Sequence, residues 1–144
     1  MLTIRIVAVG GLKEKFWSDA IAEYQKRLGK YCRMEIVEIR ESNPRDESRE
    51  ITTKLRGHVI LCDINGPLVT SDGLSARMNT LSQTTSAITF VVGGSDGVHE
   101  TLSQHINERM SFGRITLPHQ LFRVILIEQI YRAQTITRGE KYHK

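Results

Sequence analysis

Two uninterrupted runs of apolar residues restrict what this chain can fold into. They are His58–Asp63, with the sequence HVILCD, and Ala87–Val92, with the sequence AITFVV. A strand that is apolar at nearly every position must be covered on both faces, which is typical of parallel sheets between layers of helices. The two runs therefore predict buried strands and an α/β fold.

The segments around these runs alternate between strand and helix patterns. Leu2–Val9 and Met34–Ile39 are predicted strands, and apolar residues spaced four apart from Phe16 to Leu28 predict a helix between them. The other predicted elements are a helix capped by Asn43-Pro44, a helix that Ser71 caps, a helix through Val98, Leu102 and Ile106, a short strand at Arg114–Leu117, a long helix from about His119 to Ala133, and an aperiodic tail from Gln134 to Lys144. The alternation predicts a mainly parallel sheet with helices on both faces, in a single domain of residues 1–144.

Ligands of such sheets bind at the carboxyl ends of the strands. Here those ends are Asp63–Gly66, Gly93–Gly97 and Leu117–His119, where glycines and prolines concentrate. The sequence therefore predicts a ligand site built from these three connections.

The long final helix is apolar around most of its circumference. The residues concerned are Leu121, Phe122, Val124, Ile125, Leu126, Ile127, Ile130 and Tyr131. A surface helix needs an apolar stripe only about 100° wide, so this helix must bury a second face. A two-fold homodimer would cover that face. A central position in the core of one chain is the other explanation.

Composition excludes several classes of protein. The two cysteines, Cys32 and Cys62, stand far apart in the sequence and form no CxxC pair, so neither a disulfide framework nor a zinc site is predicted. No apolar stretch approaches the roughly 18 residues of a membrane span. We expect a cytoplasmic protein that binds no metal and no membrane.

The positive charge is concentrated in two zones. The formal net charge is +4, and residues 13–33 and 132–144 each carry an excess of three positive charges, which leaves the remainder slightly acidic. Two basic zones beside a neutral body favour a polyanionic partner such as RNA. Ordinary solvated surface charge is the alternative.

The turn Gly93-Gly94-Ser95-Asp96-Gly97 admits several interpretations. It does not have the GxGxxG spacing of a dinucleotide site, but it matches GxSxG between a strand and a helix. A serine hydrolase would use Ser95 as nucleophile, with Glu128 and His143 as partners. Otherwise the glycines form a backbone cradle that lets a ligand approach closely, or an ordinary tight turn.

The chain ends in Tyr142-His143-Lys144, which presents a phenol, an imidazole and an ammonium group in succession. Such a set can stack on a base, move a proton and hold a phosphate. A disordered tail without chemical function is the alternative.

Three segments in order, VVGGSDG, ITLPHQLFRVILIEQIYRA and the closing YHK, resemble the RlmH family of the SPOUT superfamily. The opening IRIVAVGGLKEKFWSDAIAEYQKRL is similar to the start of the same family, so the resemblance covers nearly the whole chain. Members of that family are pseudouridine N3-methyltransferases of large-subunit (23S) ribosomal RNA, acting on the assembled ribosome.

The resemblance implies a C-terminal trefoil knot, a homodimer through the last helix, and S-adenosylmethionine as cofactor. It assigns cofactor binding, mainly through backbone groups, to Cys62, Gly94, Gly113, Arg114, Ile115, Thr116, Leu117 and Pro118. The family usually has leucine where this chain has Cys62. A cysteine can serve as a small apolar wall, so we expect binding to survive.

The resemblance also gives the tail its roles. His143 would take the N3 proton, because histidine side chains titrate near neutral pH, and Tyr142 would stack on the base. Arg132, Arg138 and Lys144 would hold RNA phosphates. Two other classes remain open: the serine hydrolase at Ser95, and a ribosome-binding factor without catalytic activity.

Overall fold

The computed structural model describes all 144 residues, which form five strands, four α-helices and one 3₁₀ helix. The strands are β1 (Thr3–Val9), β2 (Arg33–Ile39), β3 (His58–Cys62), β4 (Ala87–Val92) and β5 (Glu108–Met110). The helices are α1 (Lys15–Leu28), α2 (Pro44–Thr52), α3 (Ser71–Ser82) and α4 (His119–Thr137), with the 3₁₀ helix at Glu100–His105.

All five strands are parallel and lie in the order β2-β1-β4-β3-β5, which confirms the predicted parallel α/β fold. The two apolar runs became neighbouring interior strands, β3 and β4, and every residue of β4 is buried. Burial on both faces explains why neither strand shows polar alternation.

Helices cover both faces of the sheet, as predicted. On β1, Ile4 and Ile6 point into a large core shared with α1, α3 and α4. Val7 and Val9 point to a smaller core closed by α2 and the 3₁₀ helix. The alternation follows from the two-residue period of a strand.

The prediction of a strand at Arg114–Leu117 was wrong. That segment is an irregular loop, and the fifth strand is Glu108–Met110, three residues paired with β3 at the edge of the sheet. A short edge strand with two charged residues lacks the apolar pattern that identified the others. Ile115, an apolar residue of the segment Arg114–Leu117, is 79% exposed.

Several element boundaries also differ from prediction. The segment around Val98 to Ile106 contains a 3₁₀ helix rather than an α-helix, and α4 continues to Thr137. The cap of α3 is Thr70, whose hydroxyl accepts from the Gly73 amide, and not Ser71. Phe16 begins the apolar period of α1 but is 62% exposed. The Asn43-Pro44 cap of α2 is confirmed, with the Asn43 side chain accepting from Asp46 N at 2.9 Å.

A buried arginine joins α4 to the carboxyl ends of β1 and β2. The Arg123 side chain is 1% exposed; its Nη1 donates to Glu38 Oε2 at 2.7 Å, and its Nη2 donates to Gly10 O at 2.8 Å. A charge buried this deeply needs such partners, because an unpaired one would be strongly destabilising. The contacts therefore fix the first turns of α4 against the sheet.

Much of the apolar surface of α4 is covered by its own chain. The helix packs against both α1 and α3, and Leu126, Ile127, Ile130 and Ala133 are buried in the large core. A position in the core thus accounts for most of its hydrophobicity. Leu121 and Ile125, one turn apart on the same face, remain partly exposed and belong to neither core. None of the helices has the length and apolar content needed to cross a membrane.

Replacing Gly57 with alanine is expected to destabilise the fold severely. Gly57 has φ +64°, and a Cβ there would lie 1.9 Å from the carbonyl oxygen of Ala87. Positive φ alone costs a residue with a Cβ about 1–2 kcal/mol, and β4 would also have to move. The matched control is Gly139→Ala, because Gly139 has φ +67° and open space around the added Cβ. Urea denaturation compares the two; equal losses would mean that the contact with Ala87 is unimportant.

Candidate functional site

A cavity of about 610 Å³ opens at the carboxyl edge of the sheet, where the connections following β3, β4 and β5 meet. Its lining includes Cys62, Asp63 and Ile64 after β3, Gly93, Gly94, Ser95 and Gly97 after β4, Ser111, Phe112, Gly113, Ile115, Thr116 and Leu117 after β5, and His119 and Phe122 of α4. The volume is within the usual range for small-molecule sites, and half of the lining residues are hydrophobic.

The structure brings together most of the residues predicted to hold a cofactor. Six of the eight line the cavity: Cys62, Gly94, Gly113, Ile115, Thr116 and Leu117. The other two stand outside it and shape its walls. The Arg114 guanidinium donates to the carbonyl oxygens of Ile64 and Gly66, and Pro118 immediately precedes α4.

The cavity loop after β5 presents unused backbone groups. The amides of residues 114–117 form no hydrogen bond within the chain. At Gly113, φ is +141° and no atom lies within 4 Å of an added Cβ, so the backbone is open to an approaching ligand. A polar ligand can therefore be recognised here by main-chain donors, without dedicated charged side chains.

Ser111 joins this loop to the connection after β3. Its amide donates to Pro67 O at 2.8 Å, its carbonyl accepts from Val69 N at 3.0 Å, and its hydroxyl lies 3.0 Å from Ile64 O. Ser111 itself is 1% exposed. Two irregular segments thus behave as one wall, because each supplies the hydrogen-bond partners that the other lacks.

Comparison with known proteins decides the family. The family model described as "Predicted SPOUT methyltransferase" matches residues 2–143. This chain belongs to the SPOUT methyltransferase family. SPOUT methyltransferases generally use S-adenosylmethionine, and the family suggests an RNA substrate.

The cavity of this SPOUT chain fits such a cofactor. Its apolar half suits the adenine ring and the methylene groups of the methionine part, and free backbone groups at residues 114–117 suit the polar edges of the adenosyl group. Burial raises the pKa of Cys62 to about 12, so the thiol stays protonated and neutral. Cys62 can therefore act as a small apolar wall, as its position at the end of β3 requires.

Sequence reasoning missed several lining residues. Arg109 and Asp63 form an ion pair at 3.2 Å within the lining, and Arg109 escaped prediction because it lies on β5, which has no apolar pattern. The ring centres of Phe112 and Phe122 lie 5.5 Å apart in the lining, and the sequence predicted only that Phe122 is an apolar residue of the last helix. His119, at the end of the predicted ligand connection Leu117–His119, is also part of the lining.

The C-terminal tail packs against its own chain, beside the second half of α4. The Tyr142 hydroxyl donates to Glu128 Oε2 at 2.9 Å, and its ring meets that of Tyr131 edge-on at 4.7 Å. His143 Nδ1 lies 3.1 Å from Arg132 Nη1. Glu128 and Arg132 stand roughly 14–20 Å along the helix from His119, at 1.5 Å per residue. A single chain therefore does not bring its tail into its own cavity.

The environment of Tyr142 limits its chemistry. Burial raises the pKa of the Tyr142 phenol well above its usual value, and hydrogen bonds to Tyr24 and Glu128 raise it further. The phenol is thus protonated at neutral pH and cannot serve as a base. It can donate a hydrogen bond or stack.

The structure gives no support to a serine hydrolase. Ser95 is exposed and makes no side-chain hydrogen bond, so no histidine activates it. The suggested partners are occupied elsewhere, since Glu128 accepts from Arg132 and His143 lies against Arg132. A serine nucleophile needs a base within hydrogen-bonding reach, and none is present.

Two substitutions at Cys62 test whether the cofactor site requires an uncharged apolar side chain at this position. Cys62→Leu keeps an apolar wall, and we expect the Kd for S-adenosylmethionine, measured by calorimetry, to stay within a few-fold. Cys62→Arg places a long cation in the cavity and should abolish binding. Thermal unfolding confirms that both variants are folded. Unchanged affinity in the folded Cys62→Arg variant would show that the cofactor binds elsewhere.

Proposed function

We propose that this SPOUT methyltransferase transfers a methyl group from S-adenosylmethionine to N3 of a pseudouridine in 23S ribosomal RNA. It would act in the cytoplasm on the assembled ribosome, as a homodimer with a C-terminal trefoil knot. Support for the reaction class comes from the family match over residues 2–143, together with the cavity at the carboxyl edge of the sheet. The substrate rests on the resemblance of the three motifs to the RlmH family.

The chain's part in the reaction is mainly alignment. The bound cofactor would supply a methyl group already activated on a positively charged sulfur. The Gly94 turn and the backbone of residues 114–117 would hold the adenosyl group and point the methyl group at the cavity mouth. Fixing two reactants in line can lower a barrier by about 7–11 kcal/mol, without a metal ion.

His143 would remove the proton on N3. The proton would pass to the imidazole, and the electron pair of the N3–H bond would form the new N–C bond while the electrons of the broken carbon–sulfur bond stay on the sulfur of the cofactor. Arg132 lies against Nδ1 and Asp72 Oδ1 lies 3.7 Å from Nε2, so the ring is held between a cation and a carboxylate. Tyr142 would stack on the base or fix its angle, while Arg132, Arg138 and Lys144 would hold phosphates.

One observation supports a shared site in particular: the tail is too short to reach the cavity of its own chain along α4. The helix has 19 residues and is therefore roughly 28 Å long. The six residues after the helix, from Arg138 to His143, span at most about 22 Å when fully extended. His143 of one subunit would instead enter the cavity of its partner.

The partly exposed face of α4 supports the dimer. Leu121 and Ile125 lie on this face, and Leu68 and Ile115 near the cavity are 66% and 79% exposed. A two-fold pair would bury these apolar side chains and carry each tail towards the other subunit. The hydrogen bonds between Ser111 and the connection after β3 support the knot, in which the segment after β5 would pass through that connection.

Methyl transfer to different forms of RNA tests the function. Purified protein is incubated with methyl-labelled S-adenosylmethionine and with assembled ribosomes, isolated large subunits or naked 23S RNA. Nucleoside analysis should find N3-methylpseudouridine, with the most label on assembled ribosomes. Label on another nucleoside would contradict the substrate, and label in none of the three would contradict the function.

Deleting residues 142–144 is expected to abolish methyl transfer and leave the Kd for S-adenosylmethionine nearly unchanged, because the tail does not line the cavity. Lys141→Ala, just before the deleted residues, is the control and should retain transfer. The measurements are single-turnover transfer and calorimetry. Full activity of the truncated chain would refute the role of the tail.

Disrupting the dimer should separate binding from catalysis. Ile125→Glu places a charge on the exposed face of α4 and is expected to yield a monomer that does not methylate. Gln129→Glu adds the same charge one turn along and tests how far the contact extends. Sedimentation velocity gives the oligomeric state. A folded Ile125→Glu monomer with normal transfer would overturn the shared site.

Mixed dimers show which subunit supplies the tail. A heterodimer of one Cys62→Arg chain and one chain lacking residues 142–144 has one complete site if the tail acts on the partner, and should show roughly half of wild-type activity. A heterodimer of wild type and a chain with both changes should then be inactive. The reverse pattern would assign each tail to its own cavity.

A further inference from the structure

All four tyrosines of the chain gather on one side of the molecule, between α1, α4 and the tail. The rings of Tyr24 and Tyr131 are 5.9 Å apart, those of Tyr31 and Tyr131 are 6.2 Å apart, and Tyr142 meets Tyr131 at 4.7 Å. Only Tyr142 has a role in the proposed reaction. The remaining three form a scaffold that the mechanism does not require.

These rings hold cations in place. Lys30 Nζ and Arg138 Cζ lie 5.0 Å and 4.6 Å from the centre of the Tyr31 ring. Arg27 lies 5.1 Å from the ring of Tyr24. A cation above an aromatic ring is attracted by the negative electrostatic potential of the ring face. The long side chains are therefore partly ordered before any partner arrives.

The nearby carboxylates are already engaged by other groups. Glu23 pairs with Arg27 at 2.8 Å, Glu128 pairs with Arg132 at 2.8 Å, and Glu140 accepts a hydrogen bond from the Tyr31 hydroxyl. By contrast, Lys26, Lys30 and Arg138 form no ion pair, although all three are exposed. Their positive charge is available to an external anion.

We propose that Lys26, together with Lys30 and Arg138 over the Tyr31 ring, forms a docking surface for the RNA phosphate backbone, separate from the cavity. Lys26 lies in the last turn of α1, and Lys30 lies in the turn that follows the helix. Arg138 was predicted to bind RNA from its place in the tail; the two lysines extend that contact onto α1. Phosphate contacts of this kind position RNA without reading its sequence.

The docking surface rests on the proposed function, because it takes the substrate to be RNA. It also explains a feature of the chain that the reaction leaves unused: the positive excess of residues 13–33, far from the tail in sequence. Ordering by Tyr31 matters because fixing a long side chain in one conformation costs conformational entropy. Cations already held over a ring lose less on binding phosphate.

The test is the double variant Lys26→Gln/Lys30→Gln. Its matched control is Arg45→Gln/Arg49→Gln, which removes two exposed and unpaired cations, also one turn apart, from α2 on the opposite face of the sheet. The probe is a fluorescein-labelled stem-loop RNA, titrated by fluorescence anisotropy at several salt concentrations. Neither variant touches the cavity, so calorimetry with S-adenosylmethionine should give wild-type affinity for both.

We expect the double variant to bind the RNA about tenfold or more weakly at roughly 0.1 M salt, with log Kd depending less steeply on log salt by about 1.5–2. The control should match wild type. Equal losses of RNA affinity in both variants would mean that only the net charge matters, and would overturn the proposed docking surface. Wild-type RNA affinity combined with a changed oligomeric state, by sedimentation velocity, would make the surface a protein interface and also overturn it.

Failure of this surface can be distinguished from failure of the proposed function. Anisotropy measures binding alone, whereas label on pseudouridine measures the reaction. A wild-type protein that methylates, together with a double variant that binds RNA normally, overturns only the surface. A wild-type protein that never transfers a methyl group overturns the function, even if the lysines prove to hold RNA.

Discussion

The cavity depends on one buried serine. Ser111 supplies its amide, carbonyl and hydroxyl groups to the connection after β3, and Arg114 adds contacts to the same connection. Neither segment has regular structure, so without these bonds both would present unpaired backbone groups and lose a defined shape. Because Ser111 makes the hydrogen bonds that hold the two segments together, the amides of residues 114–117 remain free for a ligand. The rigid part and the recognising part of the loop are thus different residues.

The sheet could be predicted because its interior strands are covered on both faces, which leaves continuous apolar runs such as β4 in the sequence. The edge strand β5 has no such requirement. Its three residues include Glu108 and Arg109, whose charges pair with Arg77 of α3, with His58 of β3 and with Asp63 just after β3. The local sequence pattern therefore could not distinguish β5 from a loop. In the wrongly predicted strand Arg114–Leu117, the apolar Ile115 is exposed rather than part of a core. Hydrophobic patterns in a sequence indicate which residues are buried. They mislead where an apolar residue is exposed or where a strand consists of charged residues.

The same limit applies to the site. Glycines and Leu117 at the predicted strand ends do meet at one cavity, because parallel strands place their carboxyl ends at a common edge. The ion pair between Asp63 and Arg109 could not be predicted, because it depends on the register of β5, a strand without a recognisable sequence pattern. The position of the tail was equally hidden. Whether Tyr142-His143 folds onto its own helix or extends away depends on contacts with Tyr24 and Glu128, which are far away in sequence.

The helix α4 explains why a short tail is useful only if it is fixed. Its first turn reaches the cavity, its second turn is fixed to the sheet by Arg123, and its second half holds Tyr142 and His143. A free tail would have to be ordered during each reaction, at about 1–2 kcal/mol for each residue of backbone. Hydrogen bonds to Glu128 and Arg132 order the tail before the reaction. The same bonds keep the His143 imidazole away from the cavity of its own chain. In a two-fold dimer the tail can be ordered and still lie at a cavity, because the dimer interface would place the partner's cavity beside the fixed tail.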